Sequence, residues 1–105
     1  YQGPPQSEPK AIGGDLPLEK VLEFEPVPPV LDAEQARHIL GGQGQLWGEF
    51  ISNTNHLQYM TWPRAAALAE ILWSSKPERN PESFRSRLTG HLKRLNAAQI
   101  YYRPL

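Results

Sequence analysis

Gly41-Gly42-Gln43-Gly44-Gln45-Leu46-Trp47-Gly48-Glu49-Phe50 and, further on, Tyr59-Met60-Thr61-Trp62-Pro63-Arg64-Ala65-Ala66-Ala67-Leu68-Ala69-Glu70-Ile71-Leu72-Trp73-Ser74 are the two stretches that decide how this chain is built. In the first, alternation puts Gln43, Gln45 and Trp47 on one side of a strand and Gly44, Leu46 and Gly48 on the other. An ordinary half-buried strand presents aliphatic residues to its core side. Here polar and aromatic groups oppose small ones, and glycine within a strand signals close backbone approach or a bend. Such a segment is shaped for a ligand or for a crowded barrel interior. The second stretch belongs to a helical region from about Thr54 to Trp73. Pro63 suits a first helical turn, so it separates a short leading turn from a main helix over 63–73. Ala65, Ala66, Leu68, Ala69, Leu72 and Trp73 give the main helix a broad surface of mostly small apolar residues, able to lie close against another element.

Trp47 and Glu49 stand two apart, so on a continuing strand their side chains point the same way. An indole beside a carboxylate is sugar-binding chemistry: the C–H face of a pyranose stacks on the ring, and the acid accepts hydrogen bonds from hydroxyls. From spacing alone, the competing reading is a core tryptophan with a structural glutamate.

Outward from this centre, proline divides the chain. Seven of its 11 prolines (Pro4, Pro5, Pro9, Pro17, Pro26, Pro28 and Pro29) precede residue 31, and Gly13-Gly14 adds a further break. Each proline fixes φ and lacks a donor, so residues 1–31 read as extended loop with one short helix from Pro17 to about Phe24, capped near Asp15 or Leu16. Asp32 and Gln35 have capping-box spacing, and Ala33, Ala36, Ile39 and Leu40 form an apolar stripe. That predicts a helix over 33–40 stopped by Gly41-Gly42. Asn80, Pro81 and Glu82 are a strong helix start, and Phe84, Leu88, Leu92 and Leu95 repeat at helical spacing. The last helix should run from Pro81 to about Ala97.

Composition removes several functions. The chain has 105 residues, with 11 basic and 11 acidic side chains and a formal net charge of zero. No basic excess marks it for nucleic acid. It contains no cysteine, which excludes a disulfide framework, a thiolate nucleophile and a Cys-based metal site. No apolar run is long enough to span a membrane. His38, His56 and His91 lack paired-ligand spacing and read as surface residues; no metal or other cofactor is expected. Arg85, Arg87, Lys93 and Arg94 read as a solvated helix face. Arg64 begins a helix, where the dipole disfavours a cation, so it needs a carboxylate or carbonyl partner; a structural ion pair is favoured over a ligand contact.

Together, the stretches quoted at the outset closely resemble the C-terminal part of family 20 glycoside hydrolases, the β-N-acetylhexosaminidases. The family pattern is a Gly-x-Gln stretch leading to Leu-Trp-x-Glu, then Pro-Arg-x-x-Ala-x-Ala-Glu-x-x-Trp. Both occur here, in order. The Leu18 to Pro26 stretch, the helix around Phe84 and the closing Ile100-Tyr101-Tyr102-Arg103-Pro104 resemble the family as well.

The resemblance implies an α/β parent, a (β/α)8 TIM barrel. This chain would be its last portion, mostly α-helical with at most one or two short strands. Residues 1–31 would be the loop after strand seven, 32–50 a helix and strand eight (residues 43–47), 51–76 the helical region, and 77–105 the terminal helix and tail. Active sites of such barrels lie at the C-terminal ends of the strands. By resemblance Trp47 lines the pocket around a terminal N-acetylhexosamine and Glu49 hydrogen-bonds its outer hydroxyls. The implied substrates are N-acetylhexosamine-terminated, β-linked glycans, and the implied reaction is retaining and substrate-assisted. In it the 2-acetamido oxygen attacks the anomeric carbon, an Asp orients that group, and the neighbouring Glu acts as acid and then base. Family members are often exported, to the periplasm or out of the cell.

The family's adjacent Asp-Glu pair is absent: the aspartates are Asp15 and Asp32, followed by Leu16 and Ala33. No leader stands at the start, and residue 1 is Tyr rather than Met, as expected of a piece cut from something longer. The chain would therefore supply part of a sugar pocket and no catalytic residue. Taken alone it would either rearrange into a small helical unit or self-associate to cover surfaces made for absent neighbours. The alternatives are a free-standing carbohydrate-binding module using Trp47 and Glu49, or a helical interaction module built on the Leu68/Leu72 and Leu88/Leu92 faces.

Overall fold

A computed structural model describes residues 1–105, which form five α-helices and three single 3-10 turns with no β-strand. The helices are α1 (Leu18–Leu22), α2 (Ala33–Ala36), α3 (Thr54–Thr61), α4 (Arg64–Trp73) and α5 (Pro81–Ala97). The local signals explain most of the boundaries. Asn80 Oδ1 accepts from the Ser83 amide at 2.9 Å and Pro81 opens α5, which has the expected extent. Asn53 caps α3 in the same way, accepting from His56 N at 2.9 Å. Pro63 falls between α3 and α4, as expected, and its bond to Trp62 is cis. α1 is shorter than expected and is preceded directly by Pro17.

α2 departs from the expectation of 33–40. The capping box forms, with Gln35 N to Asp32 Oδ1 at 2.8 Å and Asp32 N to Gln35 Oε1 at 3.1 Å. The helix nevertheless ends at Ala36, because its apolar stripe is covered only in part: none of its residues is fully buried and Leu40 is 97% exposed. A short helix depends on tertiary packing of its apolar face. Gly41 is accordingly not a left-handed stop; its φ of 159° is nearly extended.

The strand expected at 43–47 is also not formed. Residues 41–47 have no regular hydrogen bonding. A strand needs a neighbour for its N–H and C=O groups, and no second strand exists in this chain to supply one.

One small core holds the helices together. Leu18 and Val21 of α1, Ala67 of α4, and Phe84, Leu88, Leu92 and Leu95 of α5 form a buried cluster, edged by Trp62, Leu68 and Ile100. α4 is its centre, touching α1, α3 and α5. Ala67 is wholly buried, so its single methyl sets how closely α1 and α5 approach.

The basic face of α5 is only partly solvated. Arg85 Nη2 reaches Glu19 Oε1 of α1 at 2.6 Å, and Arg87 holds both Glu70 oxygens of α4 at 3.0 and 2.7 Å. Sequence spacing could not show these pairs because both partners lie on other helices; Lys93 and Arg94 do remain exposed. The hydrogen bond from Arg87 holds the Glu70 carboxyl below its ordinary value, against the opposing effect of burial. A carboxylate with a lowered folded-state pKa adds stability above its unfolded pKa and loses it as pH falls through the folded value. Stability should therefore fall with acidification below about pH 4.3. Glu70→Gln should flatten that acid limb while changing neutral-pH stability by about 1 kcal/mol. Urea unfolding of both forms between neutral and acid pH checks this.

Candidate functional site

The extended run from Gln43 to Trp47 crosses the outer side of α4, and Gly44 and Gly42 let it come close. A Cβ on Gly44 would meet Leu68 Cδ2 at 3.3 Å, and one on Gly42 would meet Leu72 Cδ2 at 3.2 Å. A larger residue at either position would push a leucine methyl aside by a few tenths of an ångström; at Gly44 this is the close approach the strand pattern indicated, whereas Gly42 was expected as part of a helix stop. Two clefts open where the run leaves the helices. One, of about 340 Å³, lies between the loop around Tyr1 and Leu16 on one side and Trp47 on the other, with His56, Met60 and Arg64 at its base. The other, about 650 Å³ and more apolar, lies between the run and α1, lined by Val21, Phe24, Leu46, Trp47 and Leu68. Trp47 borders both and is 68% exposed, so its indole belongs to no core within this chain.

Glu49 is exposed and lines neither cleft. The chain turns after Trp47 into a 3-10 turn, Gly48–Phe50, so strand alternation does not relate the two side chains. The turn is absent from the sequence reading because its glycine was read as part of the strand. Trp47 and Glu49 are thus neighbours in the chain without a shared strand face, and no hydrogen bond or ion pair occupies the carboxylate.

Arg64 has carbonyl partners in place of the ion pair that was favoured. Its Nη2 donates to Met60 O at 2.6 Å and its Nη1 to Leu16 O at 3.3 Å. It ties the α3–α4 junction to the loop before α1, both of which wall the smaller cleft. Burial pushes this guanidinium below its ordinary pKa, partly offset by the charge of Glu8. Leu16 N in turn donates to Tyr1 O at 2.8 Å. Cleft contributions from Tyr1, Leu16, Met60 and His56 were not legible, since no strand or helix spacing ties them to Trp47 and none is a fixed residue of the quoted family pattern.

The histidines differ from the surface reading at two places. His38 is exposed, but His56 and His91 are half-buried, each with a buried, unpartnered Nε2; His91 packs against Trp62 at 5.4 Å between ring centroids. No group of three His, Asp or Glu side chains is arranged to hold a metal ion.

Comparison with known proteins sets these features in a larger frame. The chain is 38% identical over 102 residues to a β-hexosaminidase of Porphyromonas gingivalis, covering 97% of this chain and 13% of that protein. It is 38% identical over 86 residues to the human β-hexosaminidase subunit β, covering 82% of the chain and 15% of that subunit. The crystal structure of a family 20 exo-β-N-acetylglucosaminidase from Vibrio harveyi, in complex with N-acetylglucosamine, superposes with a TM-score of 0.77 at 38% identity. That match covers 86% of this chain and 14% of the Vibrio protein, so the chain spans about one seventh of the length of its relatives. The likeness assigns the fold: a mostly helical portion of a (β/α)8 barrel. Residues 1–76 match the description "Glycosyl hydrolase family 20, catalytic domain", and the chain belongs to that family.

Proposed function

We propose that these residues are the C-terminal part of the catalytic domain of a β-N-acetylhexosaminidase, which removes terminal N-acetylhexosamine from β-linked glycans by a retaining, substrate-assisted route. The observation that carries this reading is the exposed Trp47 indole at the mouth of a cleft, in a chain of this family. Trp47 stacks on the apolar face of the terminal sugar, and Glu49 accepts hydrogen bonds from its outer hydroxyls. The N-acetylglucosamine held by the Vibrio harveyi relative is the ligand class this reading carries over. In the whole barrel, residues 43–47 pair with neighbouring strands as strand eight, which brings Trp47 and Glu49 to its C-terminal end. The acetamido-orienting Asp and the acid–base Glu come from outside these residues, which contain no Asp-Glu dipeptide.

The test is turnover by the full-length protein. It should hydrolyse 4-nitrophenyl N-acetyl-β-glucosaminide and leave the corresponding glucoside, which has no acetamido oxygen to attack the anomeric carbon, essentially uncut. Equal turnover of both would overturn the substrate-assisted route. Glu49→Gln should lower kcat/KM by about 10-fold, since a charge-assisted hydrogen bond is replaced by a neutral one.

A further inference from the structure

Residues 1–8 and the tail after α5 meet at the α3–α4 junction. Arg103, in the tail after α5, donates from Nε to Glu8 Oε1 at 2.9 Å, across a sequence separation of 95. The Glu8 side chain is 2% exposed. The Arg103 backbone amide binds Trp62 O at 3.1 Å, at the α3–α4 junction. Gln2 is 3% exposed and donates to Tyr59 O at 2.7 Å. Tyr59 stacks on Tyr101 at 6.0 Å. Gly3 lies against the ion pair so closely that a Cβ there would stand 2.5 Å from Arg103 Nη2 and 3.0 Å from Glu8 Oε1. The segment from Tyr1 to Glu8 is therefore held from behind by the tail. Its front side is cleft wall: Tyr1 lines the cleft and is hydrogen-bonded to Leu16, which Arg64 binds in turn.

We propose that the Glu8–Arg103 pair is a positioning device for the sugar cleft, by which the C-terminal tail sets the wall formed by Tyr1, Leu16 and Arg64 opposite Trp47. Neither residue lines the cleft; both act through the segments they hold. The charges of Glu8 and Arg103 reach the cleft as well, since Glu8 favours the Arg64 cation and Arg103 opposes it. Arg103 supplies the ion pair to Glu8 Oε1, while Oε2 is buried without a partner of its own and the Tyr59 hydroxyl lies near enough to interact with the carboxylate. A buried carboxylate that loses its ion-pair partner must move or be solvated, and the loop carrying it moves too. Small displacements of positioning groups are costly in sugar binding because stacking and hydroxyl contacts depend on their alignment.

This proposal rests on the hexosaminidase reading, and the experiment separates the two. In the full-length enzyme, Glu8→Gln and Arg103→Ala should each raise KM for 4-nitrophenyl N-acetyl-β-glucosaminide by about 10-fold, with kcat within about twofold of wild type. The double variant should resemble the single ones, because both remove one device. A pair that serves stability alone would lower the unfolding midpoint and leave KM unchanged. KM within about twofold of wild type in Glu8→Gln overturns the proposal, as does a double variant whose KM is the product of two independent increases. If Arg103→Ala does not fold, the nearly isosteric Glu8→Gln decides alone. A wild-type enzyme inactive on N-acetylhexosaminides would remove the functional reading and this proposal together; an active wild type with unaltered variants removes only the clasp.

Discussion

Produced alone, the 105 residues should release no aglycone from an N-acetyl-β-hexosaminide above the buffer rate, while the full-length protein does. Enzymes of this kind must supply at least a million-fold acceleration. On the proposed reading Trp47 and Glu49 would contribute only binding contacts to that figure, and protonation of the leaving oxygen and orientation of the acetamido group would need groups the chain does not carry. The loss should therefore be total and not a graded fall in kcat. The isolated chain should also self-associate. Only 11 of its 105 residues are buried, while Trp73 is 93% exposed and Leu40 97% exposed. Trp73 ends α4, beyond the part of that helix which α1 and α5 cover. On the proposed reading, neighbouring parts of the barrel would cover such surfaces; in isolation a second copy is the available cover. Sedimentation of a dilute sample checks the association, and a chromogenic assay checks the activity. Turnover by the isolated chain would mean that the catalytic groups lie within it. Strong quenching of its tryptophan fluorescence by N-acetylglucosamine, without turnover, would favour a free-standing binding module.

The fold was legible wherever a local signal sufficed. Asn80-Pro81 and the repeat from Phe84 to Leu95 specify α5 from end to end, because capping and periodicity act over a few residues. Pro63 divides α3 from α4 for the same reason. The failures share a different cause. α2 stops at Ala36, short of Leu40, and residues 43–47 do not pair, because both depend on partners distant in sequence. The Arg87–Glu70 and Arg85–Glu19 pairs belong to this class: helical spacing shows that the cations share a face and says nothing about which acids face them.

At the site, the residues around Trp47 left a core tryptophan as the competing reading, and only the resemblance of the whole stretch to the family marked it as a presented aromatic. Its environment was not legible. Arg64 was marked as needing a partner, and it has carbonyls where an ion pair was favoured. Glu49 was placed beside Trp47 by alternation, which a turn at Gly48 interrupts. The clasp was out of reach altogether: Glu8 and Arg103 lie near opposite ends of the chain, in segments whose prolines and lack of periodicity disclose no contact.

Trp47→Ala in the full-length enzyme separates presentation from packing. If the indole stacks on the terminal sugar, its removal forfeits the apolar area covered on both partners, about 100 Å² in all. At roughly 25 cal/mol per Å² that is about 2.5 kcal/mol, a fall in kcat/KM on the order of 100-fold. Stability should then move by no more than about 0.5 kcal/mol, because an indole that faces an open cleft in the whole enzyme, as it does in this chain where it is 68% exposed, leaves no cavity when truncated. Trp47→Phe should recover part of the loss, since a smaller aromatic face still stacks. A core tryptophan gives the opposite pattern: truncation there costs about 3–5 kcal/mol of stability, and activity is lost through unfolding. Thermal unfolding and steady-state kinetics on the same samples decide between them. A variant with a lowered midpoint and unaltered KM at low temperature would show Trp47 to be a packing residue, and the cleft beside it would no longer be a sugar site.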